Sequence, residues 1–224
     1  MKCSVITLVN NPELYERMVV RSLSGSVDTP EYEFVPVYFP TSAAKGLNEG
    51  IQKASFDFLL CCHQDVSFPV LLWTDRLKKV WELLHQGFGV VGTFGKEKNG
   101  RGVGYIFNPF PKVLKAEKHS AEVLSLDEHC LMFLRSSGLC FDESNPSFHT
   151  YGADLCMQSV QKGLRNYCIH SGGLNHLSGG KRDDAFPKSV EWFVQKWKKK
   201  TQIKQFISMC FEANLETGSW HSCI

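Results

Sequence analysis

An apolar run between residues 58 and 66 ends abruptly on polar side chains: FLLCC is followed by His63, Gln64 and Asp65, then by Val66. A run this short and this apolar predicts a buried strand, because a strand covered on both faces loses its polar/apolar alternation. The place where polarity returns is informative, since ligands of open α/β sheets bind beyond the carboxyl ends of the strands. His63 and Asp65 stand two residues apart on extended backbone and project to the same side. An imidazole and a carboxylate so placed can converge on a divalent cation that holds a phosphate-bearing substrate. The plainer alternative is a solvated strand end, with Asp65 capping the next turn or the helix after Pro69.

The flanking chain decides what kind of sheet this strand enters. Residues 3–9 (CSVITLV) are β-branched and apolar, and Asn10-Asn11-Pro12 then turns into a helix with Asn11 as N-cap and Pro12 at its first position. Residues 33–39 (EFVPVYF) form a second strand, whose Pro36 points to a sheet edge or a bulge. Thr41 or Ser42 opens a helix running to Ala54, and the central strand follows. This alternation predicts a parallel sheet with right-handed crossovers. Neither a Gly-x-Gly-x-x-Gly first turn nor a Gly-Lys-Ser/Thr phosphate loop is present.

Downstream, 69–86 carries an amphipathic helical stripe (Leu72, Leu77, Val80, Trp81, Leu84) and 88–94 another buried strand. The charged, glycine-rich stretch 95–104 reads as a mobile cover over a substrate or, more simply, as a hairpin tip. Short strands are expected at 103–107, 112–116, 121–126 and 130–134. A helix over 151–162 is stopped by Gly163, and 167–170 is a further strand. The stretch 171–180 is a polar loop, and 187–213 reads as one or two basic amphipathic helices.

A formal charge of +2 argues against a nucleic-acid binder. Nine cysteines, an odd number without a Cys-x-x-Cys pair, argue against a zinc ribbon or a disulfide scaffold and suit a reducing cytoplasm. No signal peptide or membrane span is read, so a cytoplasmic setting is expected. Trp192, Phe193 and Trp197 among lysines suggest a helix that docks on the domain or rests on an anionic membrane face, which would make the protein peripheral to the membrane.

Taken together, the segments SVITLVNNPE, AAKGLNEGIQKA, LLCCHQDV, FDESNPSFHTYGADLCMQSVQKGL and HLSGG stand in an order that resembles the small GT-A-type glycosyltransferases of the inverting, family-2-like group. The resemblance spans residues 3 to about 180. It implies an α/β three-layer sandwich around a mainly parallel twisted sheet, a catalytic domain over 1–180 and a basic helical extension over 181–224. Val9, Asn10 and Asn11 match the turn that meets the nucleobase, and Lys45 and Asn48 lie in the helix before the metal strand. His63, Gln64 and Asp65 occupy the place of the Asp-x-Asp motif, with a histidine where the first acid stands in the family. The second strand also departs from the pattern, ending in Tyr38-Phe39-Pro40 rather than in an aspartate for the ribose.

The resemblance implies transfer of a sugar from a nucleotide-diphosphate donor to a hydroxyl acceptor of a glycan, a lipid-linked molecule or another kind. Mn²⁺ or Mg²⁺ on Asp65 and His176 would steady the diphosphate. An imidazole in the ligand set favours Mn²⁺. Asp154, early in its helix, is the expected general base, although a helix-start aspartate can equally serve the helix dipole. Asp127, Glu128 and His149 are expected on the acceptor side. A rival expectation is a nucleotide- or sugar-binding module that kept the fold and lost turnover.

Overall fold

A computed structural model describes residues 1–25, 30–69, 73–106, 114–115, 119–145, 147–170, 174–178 and 183–223. Strand β1 (Lys2–Val9) leads into a helical segment made of α1 (Pro12–Tyr15), one π-helical turn (Glu16–Val20) and α2 (Arg21–Ser24). Asn11 caps it, its side chain accepting from the Leu14 N–H, with Pro12 at the first position. The crossover units follow: β2 (Glu31–Tyr38), α3 (Ala43–Lys53), β3 (Phe58–His63), β4 (Val66–Ser67), α4 (Trp73–Leu84) and β5 (Phe88–Gly92).

Next come β6 (Phe94–Lys96), β7 (Gly102–Ile106), β8 (Leu114–Lys115), β9 (Ala121–Val123), β10 (Ser125–Leu126) and β11 (Cys130–Leu134). The chain closes with α5 (Tyr151–Gln161), β12 (Arg165–Cys168), β13 (Asn175–His176), α6 (Ala185–Trp197), β14 (Gln205–Ile207), β15 (Phe211–Asn214) and β16 (Ser219–Ser222).

The central sheet has the order β2-β1-β3-β11-β5-β12-β9. β2, β1, β3, β5 and β12 run one way, and β11 and β9 run against them. β2 is an edge strand, which is where Pro36 can omit its ladder bond. The stretch 95–104 is a hairpin, β6 against β7, with Gly102 opposite Lys96. The expected strand at 112–116 lies largely outside the described residues, as do 171–173 and 179–182.

Alternation along β3 divides the interior. Phe58, Leu60 and Cys62 face a core shared with the first helical segment and α4, while Leu59 and Cys61 face one shared with α3 and α5. Helices therefore cover both faces, giving three layers. α3 can lie close on the sheet because Gly50 and Gly46 leave room: a Cβ at Gly50 would fall 2.3 Å from Ile6 Cγ2, and one at Gly46 2.7 Å from Leu8 Cδ2.

The C-terminal region corrects the expectation of one or two helices over 187–213. One helix, α6, is followed by a three-stranded antiparallel sheet, β14-β15-β16. Its apolar stripe is spent on the protein: Phe193 and Trp197 pack with Phe206, Phe211 and Leu215, and with Ala153 and Met157 of α5. No helix among the described residues is long and apolar enough to cross a membrane.

Candidate metal and donor site

β3 ends at the carboxyl edge of the parallel strands, and its last residue, His63, meets Asp65 and His176 there. Asp65 follows in the turn to β4, and His176 arrives on β13, which pairs antiparallel with β4 in the register His176↔Val66. His63 Nδ1 lies 3.2 Å from His176 Nε2, and His176 Nε2 lies 3.4 Å from Asp65 Oδ1. Donor atoms of the three residues fall within 4.8 Å of one another. The short strand pair thus joins residues 113 positions apart in sequence.

The surroundings fix the orientation of each group. His63 Nε2 stands 2.9 Å from the Tyr151 hydroxyl, which reaches the Glu128 carbonyl oxygen at 3.4 Å. If His63 Nε2–H donates to Tyr151, and Tyr151 O–H to Glu128, the Nδ1 lone pair is left facing His176 and Asp65. Such outer bonds set tautomer and ring angle at metal sites. Asp65 Oδ2 accepts the Ser178 N–H at 3.0 Å, which leaves Oδ1 on the His176 side.

Electrostatics agree with a ligand set. Burial, reinforced by His176, depresses His63 to about 4, so its imidazole is neutral and able to donate a lone pair. Burial alone would raise the Asp65 carboxyl, but hydrogen bonding and charge from His176, together with the Ser178 side chain, outweigh it and hold Asp65 ionised. Burial disfavours charge on His176 too, yet its bond to Asp65 wins and raises its pKa. Two imidazoles and a carboxylate form a group that could hold a divalent metal ion, and three protein ligands would leave coordination positions for a substrate.

A buried relay supports the triad from behind. His129 Nδ1–H donates to Asp127 Oδ1 at 2.6 Å, and its Nε2 accepts from Thr93 Oγ1 at 2.6 Å. The ring stacks on His176, with centroids 5.5 Å apart and planes at 25°. Asp127, expected on the acceptor side, is thus bonded to His129 next to the triad.

The remaining expected residues separate into two groups. Gln64 Oε1 accepts the Asn10 N–H at 3.0 Å and the Asn11 N–H at 2.9 Å, and its amide also bonds the Asn10 side chain. This clamp binds the ends of β1 and β3 into one edge that includes Val9. Phe39, whose N–H bonds the Val9 carbonyl at 2.9 Å, stands on that edge with φ of +50° and 69% of its surface exposed. Lys45 is exposed in the first turn of α3.

Other expected residues are engaged elsewhere. Asn48 clamps the loop after β11, accepting the Phe141 N–H at 3.0 Å and donating to the Phe141 carbonyl at 2.8 Å. His149 bonds Asp183 at 2.9 Å. Asp154 is 1% exposed and points at α6: Trp197 Nε1–H donates to Oδ1 at 2.8 Å, Lys196 Nζ and Gln158 Nε2 to Oδ2 at 2.8 Å each. The Trp197 and Lys196 bonds tie α5 to α6, the Gln158 bond lies within α5, and none of the three donors belongs to the triad.

Tyr151 and His129 were missed from sequence. Their signals are faint: Tyr151 sits two residues after His149 at a helix start, and His129 follows an acidic pair at a strand start.

No protein-family model matches the sequence, and no curated protein matches it. Among solved structures, TarS of S. aureus superposes with a TM-score of 0.59 at 13% identity, covering 88% of this chain and 39% of that one. Residues 1–349 of TarS in complex with UDP-GlcNAc give 0.60 at 13% identity, over 88% and 66% of the two chains. GalNAc-T7, solved with UDP, GalNAc and Mn²⁺, gives 0.65 at 11% identity over 89% and 48%. The protein therefore has a GT-A-like glycosyltransferase fold, and it spans about two fifths of TarS and half of GalNAc-T7.

Proposed function

We propose that this protein is a metal-assisted, inverting glycosyltransferase of the family-2-like kind, taking a nucleotide-diphosphate sugar as donor and a hydroxyl group as acceptor. The convergence of His63, Asp65 and His176 at the carboxyl edge of the sheet carries this reading. UDP-GlcNAc in one structural neighbour and UDP with Mn²⁺ in another support a uridine nucleotide and that ion as first probes.

In this reading the triad holds the cation, which when bound supplies positive charge to the departing diphosphate. Tyr151 and the Asp127–His129–Thr93 relay keep the ligands in register. The Gln64 clamp with Asn10 and Asn11 shapes the floor for the nucleobase, Phe39 offers it a ring, and Lys45 is placed to meet negative charge.

Titration with UDP and Mn²⁺ tests the proposal. A ligand at a hundredfold its Kd stabilises a fold by about 2.7 kcal/mol, which for a chain of this size shifts Tm by roughly 5–10 °C. The expected outcome is a shift that requires Mn²⁺ and disappears in Asp65→Asn, with the circular dichroism of the variant unchanged. UDP affinity indifferent to chelator would remove the triad from the site. The engagement of Asp154 favours a second reading, a module that binds the donor without turnover. Donor hydrolysis separates the two, because a binder saturates and releases no diphosphate.

A further inference from the structure

With Asp154 committed to α6, the acceptor proton needs another destination, and the carboxylates near the triad can be sorted by what holds them. Asp65 is bonded by His176, Asp127 by His129, Asp142 by Lys196, and the Glu143 carboxylate receives the Asn48 side chain at 2.9 Å. Glu128 differs: among the described residues its carboxyl is addressed by backbone N–H groups alone. Gly152 N–H donates to Oε1 at 2.9 Å, and the Tyr151 N–H faces the same group.

Its position is equally specific. Glu128 sits in the turn into β11, one residue before His129, whose carbonyl accepts the His63 N–H at 3.0 Å. Its own carbonyl receives the Tyr151 hydroxyl that borders His63. A Cβ at Gly152 would fall 2.7 Å from Glu128 Cγ, so the glutamate fills the room that a side chain at the start of α5 would take. The residue keeps part of its surface exposed at the protein surface, while its carboxyl is drawn in among neighbouring groups.

Resting on the glycosyl-transfer reading above, we propose that Glu128 is the catalytic base that deprotonates the acceptor hydroxyl. The acceptor O–H bond breaks and its proton passes to the Glu128 carboxylate. The oxygen electron pair forms the bond to the anomeric carbon. The bond from that carbon to the diphosphate oxygen breaks with its electrons, which leave on the diphosphate.

The environment is consistent with this work. Burial raises the Glu128 carboxyl to about 8, the negative charge of Asp127 adding to it, while the Gly152 and Tyr151 N–H groups oppose the rise. Tyr151 and Cys156 are the other titratable groups facing it, and burial raises both, so they stay neutral. A base is most effective with a pKa near the working pH.

Glu128→Gln tests the assignment, since the amide oxygen can still accept from Gly152 while the group cannot take a proton. Hydrolysis of a panel of UDP- and GDP-sugars with Mn²⁺, with water as acceptor, gives the rate, and calorimetry with UDP and Mn²⁺ gives the affinity. The expected result is a rate lowered at least about 10²-fold, UDP affinity within twofold of wild type, and an unchanged melting temperature. Glu128→Asp recovers part of the rate, and the alkaline rise of the wild-type pH profile is absent in Glu128→Gln.

Wild-type turnover in Glu128→Gln overturns the base assignment, and so does parallel loss of affinity and melting temperature, which marks a helix cap only. Wild-type protein that binds UDP with Mn²⁺ but hydrolyses no donor overturns catalysis, and wild-type protein that binds neither overturns the glycosyl-transfer reading itself.

Discussion

At the residue scale, the backbone of Phe39 is the informative exception. A bulky residue at φ of +50° costs about 1–2 kcal/mol, and such strain persists where surrounding structure enforces it, often at ligand sites. Here the Val9 carbonyl holds the Phe39 N–H, while the ring stays exposed beside the Gln64 clamp. Phe39→Gly relieves the φ penalty and gives up little burial, so a net stabilisation of roughly 0.5–1 kcal/mol is expected in denaturant unfolding. Stacking on a base contributes about 1–3 kcal/mol, so the same variant should bind UDP at least roughly fivefold more weakly. Unchanged UDP affinity would take Phe39 out of the donor site. His63, Asp65 and His176 were readable as single letters because polar residues ending an apolar strand, or following a strand in a loop, stand out. Glu128 was readable only as an acid, because its setting depends on Gly152, 24 positions away. What Asp154 touches was not readable, since Lys196 and Trp197 lie on an element whose docking has no local signature.

At the element scale, α5 and α6 are joined by charge and by strain. Lys196 bridges Asp154 and Asp142, at 2.8 and 2.6 Å. Thr150, at φ of +60° before α5, is held by the Ser189 hydroxyl of α6 at 2.6 Å. Removing one partner of a buried pair leaves the other uncompensated, at roughly 3–5 kcal/mol. Part of that is discounted here, because Lys196 is partly exposed and keeps Asp142. Asp154→Asn is therefore expected to cost on the order of 2 kcal/mol in urea unfolding, with any loss of turnover accompanied by loss of donor affinity. Lost turnover at full stability and affinity would instead return Asp154 to the role of base. Burial already raises the Asp154 carboxyl despite Lys196, and Lys196→Met removes the opposing ammonium. The native state of that variant holds the Asp154 proton more tightly than the unfolded chain does. Its stability relative to wild type therefore falls as pH rises above the ordinary carboxylate range. The helices over 41–54 and 69–86 were legible because their apolar stripes face a single sheet. β14 to β16 were not, because the lysines and aromatics of α6 dominate that stretch and its three strands are only three or four residues long.

At the scale of the whole molecule, the question is whether residues beyond 183 form a separable appendage or part of the folding unit. The third apolar cluster bears on it, because Leu124, Ala153 and Met157 from the body pack with Phe186, Val190, Phe193 and Trp197 of α6, with Phe206 and Phe211 of the small sheet, and with Leu215 just after β15. α5 is thus covered by the sheet on one side and by the C-terminal segment on the other, and its first turn addresses both Glu128 and, through Tyr151, His63. Loosening the C-terminal segment should loosen the site. Phe206 is fully buried against Phe193, with ring centroids 4.7 Å apart, and Phe206→Ala leaves a cavity costing roughly 3–5 kcal/mol. If the molecule is one cooperative unit, that variant melts in a single lowered transition. Amides of β15 and α5, measured by hydrogen exchange, lose protection by similar free energies. An independent appendage predicts otherwise: β15 exchanges faster while α5 and Mn²⁺-dependent UDP affinity stay as in wild type, and that pattern would separate 181–224 from the domain before it. The shared core favours the first outcome, because the same α6 side chains that pack on Phe206 and Phe211 also sit in one apolar cluster with Ala153 and Met157 of α5.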